Sequence, residues 1–309
     1  MSTKELILNE VKKAVVGKDA VLEMALTAIL ARGHILIEDI PGVGKTTMAL
    51  AYSKALGLEY RRVQFTPDVL PSDVVGFSLP DKDTGALVYK PGAIFCNLFL
   101  ADELNRATSR TQSALLEAME EGRVTVDGVT HVIPEPFIVI ATQNPVGSSG
   151  TQLLPESQLD RFMVRLSLGY PNPDHELELL QRKQTGNLLE KVGLAATWEE
   201  LAAMRTKADG IYVDDKILDY VIRLSSASRL NGSVLHGASP RASIAVVAMA
   251  KAYAMLNDRD YVIPEDVKAV YPATITHRLL LTPEAKAGGT TARSIVDKLL
   301  ASTPAPAVK

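Results

Sequence analysis

The stretch from His34 to Thr47, HILIEDIPGVGKTT, constrains the fold of this chain more than any other part of it. His34 to Glu38 reads as a short β-branched strand, and Thr46 to Leu56 as the helix that follows the loop. Glycines in such a loop let backbone N–H groups turn inward toward an anion, and the helix N-terminus adds its partial positive charge. At the end of the loop, Lys45 is placed to reach the β- and γ-phosphates of a nucleotide, and the Thr46 hydroxyl to ligate Mg²⁺. Pro41, Gly42, Val43, Gly44, Lys45, Thr46 and Thr47 therefore form the candidate nucleotide site, with ATP or ADP as ligand. One position departs from the strict spacing: Asp39 stands where a glycine is expected, five residues before Gly44.

Further short apolar runs recur along the first half: Arg62–Phe65, Asn97–Ala101, Phe137–Ala141 and Met163–Leu168. Nearly continuous apolar strands between helical segments such as Glu5–Val15 and Ala20–Ala31 predict a parallel sheet covered on both faces. Two polar turns interrupt the pattern. Leu79–Tyr89 folds around Asp81–Gly85, and Arg123–Ile133 around Asp127-Gly128, a dipeptide that tolerates positive φ at both positions. Both read as β-hairpins inserted in the α/β core, either ordinary edge hairpins or surfaces that contact a substrate or neighbour.

Beyond Tyr170-Pro171-Asn172-Pro173 the pattern turns almost wholly helical. Thr197 to Glu200 has the form of a capping box. Asp214 or Asp215, Ser239-Pro240 and Ile263-Pro264 mark further helix starts. The expected division is an α/β core over residues 1–171 and a helical lid over 172–309, with a disordered tail from about Ser302. With 47% apolar and 22% charged residues in 309, the chain can build sizeable cores. A net charge of −3 gives no reason to expect nonspecific nucleic-acid or membrane binding. The single cysteine, Cys96, cannot form an intrachain disulfide and sits in an apolar run, as a core residue would. The first ten residues do not resemble a signal peptide, and no apolar run reaches the ~18 residues of a spanning helix. The chain reads as cytoplasmic.

Two more strand ends carry chemistry. The apolar run Asn97–Ala101 ends in Asp102-Glu103. Downstream of a phosphate loop, Asp102 is suited to the Mg²⁺ shell and Glu103 to polarising the attacking water. The run Phe137–Ala141 ends in Thr142-Gln143-Asn144, which sets Asn144 beside the γ-phosphate if that strand lies between the other two.

Together these segments resemble the AAA+ ATPases, and within them the MoxR family, through IEDIPGVGKTT, VQFTPDVLPSDVVG, ADELNRATSRTQSALLEAMEEGRVTVDG, ATQNP, LPESQLDRF and GASPRAS. The likeness runs from Val16-Gly17 to His277-Arg278. It implies a P-loop sheet of strand order 5-1-4-3-2, counted along the chain, and an all-helical C-terminal lid. It further implies that Val16 and Gly17 line the adenine pocket, that Asn144 is the sensor 1 residue and that Arg241 is sensor 2. Arg161 would be the arginine finger, acting on ATP held by a neighbouring subunit of a homo-oligomeric ring, expected to have six members. The two hairpins would face the pore or partners. The implied role is Mg²⁺-dependent, chaperone-like remodelling or maturation of other proteins, often with a partner carrying a von Willebrand factor A domain. In that strand order Gln64 or Thr66 is placed to hold Glu103 in an inactive pose. The competing readings are a DNA-acting AAA+ motor and a scaffold that ATP locks without hydrolysis. Against the first, the Arg123–Ile133 hairpin carries no basic cluster; against the second, both Glu103 and Arg161 are present.

Overall fold

The computed structural model describes residues 2–144, 154–184 and 186–307. Its central sheet has five strands: β1 (Ile35–Glu38), β2 (Tyr60–Gln64), β3 (Leu98–Asp102), β4 (Ile138–Gln143) and β5 (Val164–Leu166). Their order is β2-β3-β4-β1-β5, the expected 5-1-4-3-2. Every residue of β3 and β4 is buried, which is why both read as unbroken apolar runs rather than alternating ones. By contrast, β2 is an edge strand and carries the charged Arg61 and Arg62.

The parallel register sets the polar strand ends side by side. Glu38 of β1 pairs with Gln143 of β4, and Gln64 of β2 pairs with Asp102 of β3. Between them, Ala101 of β3 pairs with Ala141 of β4. The acids therefore emerge at the carboxyl edge of the sheet, where open α/β sheets bind their ligands.

By internal packing the chain forms two compact units. One comprises Met1–Leu22, His34–Leu154 and Ser167–Glu200, the other Glu23–Gly33, Pro155–Leu166 and Leu201–Lys309. In the first, helices Thr3–Lys12 and Lys45–Ala55 pack together, and the Tyr52 hydroxyl donates to the Leu22 carbonyl at 2.6 Å. Cys96 is fully buried, and burial pushes its thiol up to about 12.

Both hairpins form. The first pairs Gly76–Pro80 with Leu87–Pro91, the second Arg123–Val126 with Val129–Val132. Asp127 and Gly128 have φ of 50° and 79°, the doubly left-handed turn expected there. The Tyr89 ring of the first hairpin stacks on His131 of the second, with centroids 3.6 Å apart and an interplanar angle of 12°. Leu79, Leu87, Val129 and Val132 stay exposed on these hairpins.

The second unit is built mainly of helices, among them Asp215–Leu230, Pro240–Leu256, Pro264–Ile275 and Ala292–Ser302. Asp214 caps the first of these through Lys216 N–H at 2.8 Å, and Ser239 the second through Ala242 N–H at 3.1 Å. Two features differ from expectation. A short antiparallel pair, Val234–His236 with Leu280–Leu281, interrupts the helical pattern. The segment from Thr303 to Ala307, expected to be disordered, is docked: Arg223 Nη1 donates to the Pro304 carbonyl at 2.9 Å, and Thr303 is buried. Proline already fixes φ at 304 and 306, so docking this tail costs little backbone entropy.

Candidate active site

The phosphate loop leaves β1 at Asp39 and enters the helix Lys45–Ala55 through Gly44. Gly42 and Gly44 have φ of 86° and 98°, a region that only glycine enters freely. A Cβ built on either meets nothing within 4 Å. The loop therefore encloses open space, as a phosphate cradle must. Lys45 Nζ donates to the Asp39 carbonyl at 2.6 Å. Burial pulls the Lys45 pKa down, while the charges of Asp39, Asp102 and Glu103 raise it. Lys45 thus lies within electrostatic reach of both acids at the end of β3.

Asp39, the residue that breaks the strict spacing, anchors the loop. It is buried, and its Oδ2 accepts from Gly169 N–H at 2.6 Å and the Ser167 hydroxyl at 2.9 Å, while Oδ1 accepts from Ile40 N–H at 2.9 Å. Burial opposes its ionisation, but these hydrogen bonds outweigh it and hold the carboxyl below the usual range.

A cavity of ≈ 400 Å³ adjoins the loop, lined by Val15, Val16, Gly42, Gly44, Thr47, His175 and Leu179, among others. Val16, expected at an adenine pocket, is in this wall. Gly17 lies directly beneath the His175 ring: a Cβ on Gly17, where φ is 70°, would come 2.1 Å from His175 Nδ1. His175 is itself placed by Asn172, whose Oδ1 accepts from His175 N–H at 2.8 Å at the start of helix Pro173–Gln184.

At the end of β3 the Asp102 carboxylate is held from two sides. The Thr142 hydroxyl of β4 donates to Oδ1 at 2.6 Å, and Arg62 Nη2 of β2 sits 2.7 Å from Oδ2. Both carboxylate oxygens are thus engaged by protein donors, and a carboxylate at the carboxyl edge of the sheet is the hard oxygen donor that Mg²⁺ takes. Thr142 also accepts from Glu103 N–H at 2.9 Å. Glu103 takes a left-handed conformation, φ 56° and ψ 45°, costing roughly 1–2 kcal/mol for a non-glycine residue. Its carboxylate pairs with Arg106 Nη1 at 2.8 Å. Of the residues expected to restrain Glu103, Gln64 is engaged elsewhere: its amide oxygen accepts from Arg62, while the Glu103 carboxylate pairs with Arg106. A left-handed φ starts a 3₁₀ turn that brings Arg106 back onto the acid. Asn144 follows β4, and its carbonyl accepts from Asn105 Nδ2 at 3.5 Å; Asn105 is 2% exposed.

Arg161 and Arg241 belong to the second unit. Arg161 follows the short helix Glu156–Leu159, and Arg241 is the second residue of helix Pro240–Leu256. Burial of His277 among apolar groups, with Arg278 beside it, lowers its pKa well below the ordinary histidine value, so the ring is neutral. His277 Nε2 lies 3.0 Å from the Phe162 carbonyl and donates to it in that neutral form.

Arg62, Arg106, Thr142 and His175 are the residues at this site that sequence reasoning missed. Arg62 and Thr142 lie one strand away from Asp102, and only the sheet register reveals them.

Sheet order, phosphate loop and acidic strand end together define a class, the P-loop ATPases of AAA+ architecture. Comparison with known proteins agrees. The family described as "ATPase family associated with various cellular activities (AAA)" matches residues 34–164, and the "AAA lid domain" matches residues 226–299. The chain is 44% identical to the uncharacterized protein YeaC of Bacillus subtilis, over 97% of this chain and 93% of that one. It is 37% identical to the chaperone MoxR1 of Mycobacterium tuberculosis, over 99% and 83%. A crystal structure of a Cytophaga hutchinsonii protein assigned as an ATPase superposes with a TM-score of 0.90 at 36% identity, covering 99% of this chain and 96% of that one. The chain belongs to the MoxR family of AAA+ ATPases. No helix among the described residues is long and apolar enough to cross a membrane.

Proposed function

We propose that this protein hydrolyses ATP with Mg²⁺ in a homo-oligomeric ring of six and uses the turnover to remodel or mature partner proteins. The observation that carries the reading is the open Gly42–Gly44 loop with Lys45 at its end, on the sheet whose carboxyl edge presents Asp102. The Gly42–Thr47 backbone and Lys45 would bind the phosphates, and the cavity beside Val16 the base. Thr46 and Asp102 would hold Mg²⁺, which when bound neutralises charge on the phosphate oxygens. Glu103, released from Arg106, would orient and polarise water for attack on the γ-phosphate, and Asn144 would fix that water. Arg241 would contact the nucleotide of its own subunit, and Arg161 that of a neighbour, stabilising charge on the transferring group.

The chaperone description of the mycobacterial relative supports a protein client. So do the exposed Leu79, Leu87, Val129 and Val132 on the coupled hairpins, since apolar side chains left in water suit protein surfaces better than nucleic-acid backbones. Arg123, the one arginine of the second hairpin, is paired with Glu121 at 3.0 Å. A partner with a von Willebrand factor A domain is part of this proposal.

Two variants test the site. Lys45→Ala is expected to abolish ATP binding. Glu103→Gln should bind ATP and fail to hydrolyse it, and a pull-down with that form and ATP should retain the partners of the ATP state. Hydrolysis that persists in Glu103→Gln would remove Glu103 from this role.

A further inference from the structure

The Arg278 side chain is 3% exposed and is committed almost entirely to one short segment. Nε donates to Asp160 Oδ1 at 2.7 Å and Nη2 to the Asp160 carbonyl at 3.2 Å. Nη2 also donates to the Phe162 carbonyl at 2.8 Å, and Nη1 to the Met163 carbonyl at 3.0 Å. A further Nη1 bond, to the Thr274 carbonyl, ties the guanidinium to the end of helix Pro264–Ile275, which precedes it. Arg278 therefore grips the chain on both sides of Arg161, and His277 adds a second hold on Phe162.

A buried ion pair is weak evidence for stability, because well-packed apolar groups often serve as well. A planar guanidinium with five donors in fixed directions offers instead a defined geometry. Asp160 extends that geometry. Its Oδ2 lies 3.3 Å from the Ser239 hydroxyl, and Ser239 caps the helix that carries Arg241. Arg161 and Arg241 thus project from one hydrogen-bonded block centred on Asp160.

We propose that Arg278 is a positioning residue for Arg161. By fixing the backbone of residues 160–163 it sets the direction in which the Arg161 guanidinium leaves its subunit. Through Asp160 and Ser239 it keeps that direction in register with Arg241. This inference rests on reading Arg161 as a residue that acts on a neighbouring subunit's nucleotide.

The test is subunit mixing. Arg278→Met, Arg278→Lys and Arg161→Ala are each assayed alone and with an excess of Glu103→Gln, with folding followed by thermal unfolding. Alone, each Arg278 variant should keep its KM for ATP within about three-fold and lose kcat on the order of 100-fold, the cost of misplacing a reacting group by an ångström. Arg278→Lys keeps the charge but not the fork, so it should resemble Arg278→Met in kcat while folding like the parent. Mixing should restore hydrolysis to all three, because Glu103→Gln subunits supply a well-aimed Arg161 and the variants supply Glu103. A merely structural defect would not be complemented in this way. If Arg161→Ala is rescued and neither Arg278 variant is, the positioning role is overturned while the neighbour-acting reading of Arg161 stands. If Arg161→Ala is not rescued either, that reading fails and takes this inference with it.

Discussion

Arg62 and Asp102 form an ion pair across adjacent strands, with Nη2 2.7 Å and Nε 3.2 Å from the same carboxylate oxygen. The Gln64–Asp102 register dictates it, since Arg62 lies two residues before Gln64 on the same face of β2. The guanidinium holds the oxygen that a nucleotide-bound cation would approach. Arg62→Ala is therefore expected to lower the Mg²⁺ concentration for half-maximal nucleotide binding by about two- to five-fold, the scale of a partly exposed pair. Titrating Mg²⁺ against a fixed concentration of a fluorescent ATP analogue checks this. A shift to higher Mg²⁺ would mean that Arg62 assists the cation rather than competing with it.

Asp39→Gly restores the strict loop spacing, yet it removes the acceptor of Gly169 N–H, the Ser167 hydroxyl and Ile40 N–H. The cost of leaving such buried donors without a partner is about 1–3 kcal/mol. The variant should melt earlier than the parent and bind nucleotide more weakly, despite its closer match to the motif. Calorimetric unfolding and nucleotide titration of the same sample would show both effects.

Gly17→Ala sets a methyl group where the His175 ring lies, at a φ that alanine adopts poorly. Nucleotide affinity should fall. In Gly17→Ala/His175→Ala the steric part of the loss should recover, while the backbone part remains. Isothermal titration of the two single variants and the double variant separates the two contributions. Equal affinities for Gly17→Ala and the double variant would exclude a steric cause.

His277 supplies a pH dependence whose sign is fixed by burial. Unfolded, the ring titrates near 6.5; folded, it stays neutral well below that. As pH falls below the unfolded value, the unfolded chain takes up a proton that the folded chain refuses, and stability drops by up to about 1.4 kcal/mol per pH unit. Above that value the ring is neutral in both states and contributes no slope. His277→Gln can still donate to the Phe162 carbonyl without titrating. Urea unfolding at pH 7 and pH 5.5 should show a smaller acid loss for this variant than for the parent.

What was legible in the sequence is what neighbouring residues decide. The loop glycines, the Asp127-Gly128 turn and the Thr197–Glu200 capping box are local patterns. The last appears as Thr197 N–H to Glu200 Oε2 at 2.8 Å and its reciprocal bond at 3.3 Å. The order of the sheet followed from the family resemblance. What escaped depends on register and long-range closure. Thr142 meets Asp102 only because β3 and β4 are adjacent and parallel, although the partners are 40 positions apart in the chain. Asp39 departs from the strict motif spacing, and its anchoring role appears only through Ser167 and Gly169, more than a hundred residues away. The pairing of Glu103 with Arg106 needed a left-handed residue at the strand exit, which propensity disfavours. The docked tail and the short Val234–His236 pair were hidden for a related reason: each is too brief to carry a periodic signal.

The central claim is that the loop at Lys45 is half of a site completed by Arg161 of another subunit. Specific ATPase activity measured across a wide range of protein concentration, for the parent and for Arg161→Ala, tests it most directly. The account predicts activity per subunit that rises with concentration to a plateau in the parent and is lost at every concentration in Arg161→Ala, with ATP binding retained. Turnover per subunit that is independent of concentration and unaffected by Arg161→Ala would contradict it.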